Sequence, residues 1–181
     1  MRSISEHGKT GRGRSVAIAA WVLSAFVLAV PVAHAPATDF PVADKVLVEK
    51  GKRKLHLLKG GEAFRTFDIA LGIEPIGHKQ EEGDNRTPEG RYWLDVRNDR
   101  SDYFLSIRIS YPNERDRLEA AHRGVPPGGQ IMIHGQPNAP SYSAAYYRQS
   151  DWTNGCIAVS NSDMIDIWLM TPDRVPIEIL P

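Results

Sequence analysis

Beyond residue 44 the chain alternates polar and apolar positions in short stretches, each cut off by glycine, proline, asparagine or aspartate. Period-two patterning of this kind predicts half-buried strands joined by turns. Residues 45–50 and 53–59 flank Gly51 as a hairpin, and residues 62–71 follow Gly60-Gly61 as a third strand. Residues 72–90 hold Pro75, Gly77, Gly83, Asp84, Asn85 and Pro88, too many breakers for regular structure, and connections this long are usually functional. The strand pattern resumes at 91–97 and 104–110, and residues 113–122 then read as a short helix that Pro126 and Pro127 end. Ile131-Met132-Ile133 is continuously apolar, which suits a strand covered on both faces, and it leaves His134 at a strand end. Residues 135–151 read as a polar and aromatic loop, residues 156–159 as a strand and residues 175–180 as the last one. Between those two strands Ser160 and Asp163 look like a helix cap, with Met164, Ile165, Trp168 and Leu169 as the apolar face before Pro172. Eight or so strands with one or two short helices predict a mainly β domain, a sandwich or a partly open barrel.

The first 37 residues break that pattern. Arg2, Lys9, Arg12 and Arg14 precede an apolar run from Val16 to Ala33, and small residues including Ala35 and Ala37 follow. This is the form of an export signal cleaved after Ala37, or of an anchor retained in the membrane. Residues 38–181 would form one domain, placed in the periplasm or elsewhere in the cell envelope, with membrane contact only through an uncleaved N-terminus. Across all 181 residues 22 basic side chains balance 22 acidic ones, so no electrostatic footprint for nucleic acid exists.

Export sharpens the meaning of the single cysteine, Cys156, which has no partner within its own chain for a disulfide. It is either a small buried hydrophobe or a working thiol. The segment Asp151-Trp152-Thr153-Asn154-Gly155-Cys156-Ile157 favours the second reading. A glycine just before a cysteine that opens a strand makes a tight turn, able to present sulfur beside backbone N–H groups. Acyl transfer needs such preorganised donors for its oxyanion, and those of Gly155 and Cys156 are the candidates. An ordinary thiol is only a few per cent ionised at neutral pH, so a neighbouring base is required. Of six histidines, His134 at the end of its strand is the candidate base, or else a hydrogen-bonded histidine at a sheet rim. His78, in the polar loop, is a possible substrate contact.

Ile133-His134-Gly135 followed by Thr153-Asn154-Gly155-Cys156-Ile157 resembles the signature of the L,D-transpeptidase catalytic domain of the YkuD type. Upstream, Gly83-Asp84-Asn85-Arg86-Thr87-Pro88-Glu89-Gly90-Arg91-Tyr92 resembles the stretch that this family carries before a central strand. The three landmarks occur in the family's order between about residue 44 and the last residue. The resemblance implies that Cys156 is the nucleophile and His134 the base, with the main-chain carbonyl of Gly135 orienting the imidazole. It also implies that Gly155 and Cys156 form the oxyanion hole, while Arg86, Thr87 and Gly90 shape the groove. Two positions depart from the pattern: Asn154 replaces a usual histidine, and Ala158 an arginine or asparagine.

The resemblance further implies a peptidoglycan enzyme that forms a thioester with a stem peptide and passes it to an amine on a neighbouring stem or a wall-linked protein, without a cofactor or metal. Asn154, Thr153, Trp152, Arg86, His78 and Tyr146 are the expected substrate contacts. Tyr142, Tyr146, Tyr147 and Trp152 would form a lid over the cleft or a satellite core. Asn154 and Ala158 keep two alternatives open, an L,D-carboxypeptidase or amidase that gives the thioester to water, and a non-catalytic wall-binding module.

Overall fold

The computed structural model describes residues 40–181, so the expected export segment lies outside the described residues. Strands β1 (Lys45–Glu49), β2 (Lys54–Lys59), β3 (Glu62–Asp68), β4 (Gly90–Ser101), β5 (Phe104–Ile109), β6 (Met132–His134), β7 (Ile157–Ala158) and β8 (Val175–Leu180) form one mixed sheet. Their spatial order is β3-β2-β1-β8-β4-β5-β6-β7, with β1–β8 and β6–β7 parallel and the other neighbours antiparallel. The last strand therefore sits in the middle and joins the N-terminal hairpins to the half that carries His134 and Cys156.

The ends of that order also touch. Just past β3, the Ala70 N–H donates to the Ala158 carbonyl at 2.8 Å, and the Ala158 N–H donates back to Ala70 at 2.8 Å. Gly72 and Thr153 extend this seam. The sheet is thus rolled into a partly open barrel, one of the two architectures its patterning predicts.

Alternation sorts each strand into two faces. Val46 and Val48, Leu55 and Leu57, Ile107 and Ile109, Ile133, Ile157, and Ile177 and Ile179 point into one shared core and are at most 2 % exposed. Burying each such side chain is worth about 1.5–3 kcal/mol, enough to hold register against a one-residue slip that would turn the whole set to solvent.

Three helices complete the domain. Helix α1 (Glu114–Arg123) starts at a capping box in which the Asn113 side chain accepts from the Asp116 N–H, and the Asp116 carboxylate accepts from the Asn113 N–H. Helix α3 (Asn161–Met170) is capped by Ser160, as its sequence predicts, and packs against β5. Its buried face is Met164, Ile167 and Met170 with Trp168 packed partly against the core, so Met164 and Trp168 face inward as expected whereas Ile165 and Leu169 are exposed. Helix α2 (Ala144–Gln149) occupies the stretch expected to be loop, making three helices where one or two were expected. Its Ser143 cap was hidden among tyrosines and serines that carry no helical period. Strand β4 is longer than expected because its polar end, Asn98 to Ser101, runs on through register shifts as a β-bulge.

The connection at residues 72–90 has no regular structure but is firmly held. Buried Lys50 donates from Nζ to the carbonyls of Gly77 (2.6 Å) and Thr87 (2.9 Å) and to the Glu89 carboxylate (2.8 Å). Lys79, also buried, ties Asp84 at 2.8 Å. Each lysine uses its several donors to satisfy turns that would otherwise have only water.

Candidate active site

The parallel pairing of β6 and β7 places the two candidate groups. Ile133 pairs with Ile157 and His134 with Ala158, and both isoleucines point into the core. Period-two geometry then sends Met132, His134 and Cys156 to the opposite face. That face opens on a cleft of about 340 Å³ lined by Cys156 and His134 together with Trp152, Thr153, Asn154 and the end of the β4–β5 hairpin.

His134 is only 4 % exposed. Its Nδ1–H donates to the Gly135 carbonyl at 2.7 Å, which assigns the tautomer and leaves the Nε2 lone pair for a proton. Burial lowers its pKa to about 4, with the Gly135 bond pulling the other way. The Tyr103 ring lies against it at a centroid distance of 4.6 Å, and Trp152 meets it edge-on at 5.6 Å.

Cys156 is partly exposed and unpaired, and its thiol donates to the Gln130 carbonyl at 3.5 Å. Burial pushes its pKa above the ordinary thiol value, opposed by the Met132 backbone N–H and the charge of Lys79. The raised thiol pKa and the lowered imidazole pKa both favour the neutral forms of the two groups.

Thr153 builds the turn before the cysteine. Its hydroxyl donates to the Cys156 carbonyl at 2.7 Å and accepts the Gly155 N–H at 3.1 Å. Of the two donors expected to serve an oxyanion, the Gly155 N–H is engaged by the Thr153 hydroxyl, which leaves the Cys156 N–H as the other candidate. Gly155 has φ +122°, and a Cβ there would stand 2.6 Å from the Arg86 carbonyl, so only glycine fits.

Arg86 therefore touches the site through its backbone and is absent from the cleft lining. His78 is also away from the cleft: its Nε2 lies 3.2 Å from the Asp116 carboxylate and its Nδ1 accepts the Glu89 N–H, so both nitrogens are used. Tyr146 stacks on Tyr142 at 4.4 Å on α2 and does not line the cleft either. These three expected substrate contacts support surrounding loops, whereas Trp152, Thr153 and Asn154 do face the cleft. Tyr147 is buried and packs edge-on against Trp152 at 4.9 Å, as the satellite-core reading of the aromatic loop expects.

Tyr103 was not expected at the site; it reaches His134 because β5 pairs with β6, Ser106 opposite His134, which sets the β4–β5 turn beside that strand end. Asn161, at the start of α3, accepts the Gln136 N–H at 2.7 Å through its side chain and holds the loop after His134. Among the described residues, no group of three or more His, Cys, Asp or Glu side chains is placed to hold a metal ion.

Comparison with known proteins agrees with this geometry. The family model described as "L,D-transpeptidase catalytic domain" matches residues 43–179. An Escherichia coli (strain K12) protein named "Putative L,D-transpeptidase YafK" is 32% identical over 96 residues, covering 50% of this chain and 37% of that protein. The solved helical cell shape determining protein Pgp2 from Campylobacter jejuni is 26% identical with a TM-score of 0.60, over 75% of this chain and 46% of that one. Bd1075 of Bdellovibrio bacteriovorus shares the fold at a TM-score of 0.52 and 23% identity, over 78% of this chain and 51% of that one. This chain thus spans about half the length of those solved proteins, and less of the Escherichia coli one.

Proposed function

The chain belongs to the L,D-transpeptidase catalytic-domain family, and on that premise we propose that it is a cell-envelope acyltransferase acting on peptidoglycan stem peptides through Cys156. The observation that carries this reading is the His134 imidazole, fixed by Gly135 with Nε2 unencumbered, in the cleft that also contains the sulfur.

Cys156 Sγ attacks the carbonyl carbon of the third stem residue while its proton passes to His134 Nε2. The Cys156 N–H donates to the oxyanion. Collapse breaks the amide, the leaving D-alanine nitrogen takes the proton from the imidazolium, and a thioester remains. An acceptor amine, on a neighbouring stem or a wall-linked protein, then attacks; His134 removes its proton and returns it to the departing sulfur. No other group is needed to balance the steps. Positioned general-base catalysis is worth about 10²–10⁴ in rate.

One observation favours a hydrolytic variant. Ala158 is buried in the barrel seam and gives the cleft no polar side chain with which to hold an acceptor. Water would then resolve the thioester, trimming stems instead of joining them.

Mass spectrometry of muropeptides incubated with the purified protein tests both. Cross-linked dimers are expected for transfer and trimmed monomers for hydrolysis, each lost in Cys156→Ala and reduced at least about 100-fold in His134→Ala. Unchanged turnover in Cys156→Ala would sink the proposal.

A further inference from the structure

Two aromatic rings from separate parts of the chain enclose the His134 imidazole. Trp152 meets it edge-on from the segment before the nucleophile, with the indole N–H tied to the Tyr147 carbonyl at 3.2 Å. Tyr103 lies against it from the β4–β5 turn and is itself 40 % exposed, so this ring turns one side to the imidazole and the other to water.

A single residue holds the turn on both sides of Tyr103. Asn138, from the loop beyond His134, accepts the Phe104 N–H through Oδ1, donates from Nδ2 to the Ser101 carbonyl and donates its own N–H to the Asp102 carbonyl, each at 2.9 Å. The Tyr103 N–H donates to the Ser101 hydroxyl at 3.1 Å. Phe104 takes a left-handed φ of +67°, an angle that a bulky side chain adopts only where its surroundings impose it. Gly135 permits the close approach: a Cβ there would stand 3.0 Å from the Phe104 side chain and 3.1 Å from the Tyr103 carbonyl.

The titratable groups at the imidazole are Tyr103 on the turn and Cys156 before β7. Strand β5 brings Ser106 opposite His134 and β7 brings Ala158, neither of which titrates. Arg100 and Asp102 also line the cleft, with opposite charges. Burial is the first cause of the lowered pKa of His134, so whatever keeps water from the ring sets its protonation. We infer that Tyr103 is a wall over the base, clamped by Asn138, which keeps water off the His134 imidazole and lets it accept a proton in acid surroundings where an exposed histidine is already charged. This rests on His134 being the base of the proposed acyl transfer and deepens it by naming what sets the acid limit of that activity. Both Tyr103 and Asn138 are positioning residues that act through His134.

The test uses the full chain and two readouts. In Cys156→Ala the His134 ring protons are followed by NMR as the pH is lowered, and they are assigned by their loss when His134→Gln is added. The midpoint is expected at about 4. Adding Tyr103→Ala should raise it by about one to two units, toward the ordinary histidine range. Tyr103→Phe, which keeps the ring, should leave it in place, and Asn138→Ala should move it in the same direction as Tyr103→Ala. With Cys156 present, the acid limb of kcat/KM for D-alanine release from a tetrapeptide stem should follow. Tyr103→Ala should lose about two- to tenfold between roughly pH 7 and pH 5, where the unsubstituted chain hardly changes. An unmoved midpoint in Tyr103→Ala, or an equal rise in Tyr103→Phe, overturns the wall. A raised midpoint in Tyr103→Ala alone upholds it even if no stem were turned over at any pH, a result that would count separately against the proposed activity.

Discussion

A histidine kept neutral by burial leaves a mark on stability as well as on chemistry. The pKa of His134 is lowered to about 4, so between that value and the ordinary histidine range the unfolded chain binds a proton that the folded chain refuses. Stability therefore rises with pH across that window and falls as the solution is acidified through it. The whole contribution is on the order of 3 kcal/mol, from about 1.4 kcal/mol per pKa unit. His134→Gln should flatten the stability profile between roughly pH 4 and 6.5, measured by urea midpoints at several pH values. A profile as steep as the wild type's would mean that other groups dominate acid denaturation. The candidate pair could be picked out of the sequence because His-Gly and Thr-x-Gly-Cys are local patterns, and both residues line one cleft. Their protonation could not, since it depends on Tyr103, Trp152 and Gln130, brought in from other parts of the chain.

Among elements, the strands could be read from alternation because each has a wet or cleft-facing side. What escaped was governed by tertiary partners: α2, the polar end of β4 and part of the buried face of α3. His78 and Tyr146 misled for a related reason, since a polar loop and an aromatic loop look like contact surfaces until Asp116 and Tyr142 are seen to occupy them. Asn161 connects elements in a way a one-dimensional pattern cannot reveal, from the first turn of α3 to the loop whose Gly135 carbonyl orients the His134 imidazole. Loss of that bond costs about 0.5–1.5 kcal/mol. Asn161→Ala should lower kcat several-fold with little change in KM, while Asn161→Asp, which still accepts from Gln136, should restore it. A variant that melts early but keeps its kcat would reduce Asn161 to a purely structural role.

At the scale of the molecule, the barrel seam explains the departure at position 158. Ala158, two residues beyond Cys156, is 2 % exposed and exchanges both backbone bonds with Ala70. A larger polar side chain would be forced into that packing at a cost of about 1–3 kcal/mol. Ala158→Asn should accordingly lower Tm by several degrees in a thermal melt; an unshifted Tm would show that the seam has room to spare.

The central position of β8 has a consequence in time. Until β8 is made, β1 and β4 have no strand between them to join the N-terminal hairpins to the half that carries Ala158. A growing chain would therefore hold Cys156 and His134 before it could arrange them, with β8 as the piece that ties the two halves of the sheet into one.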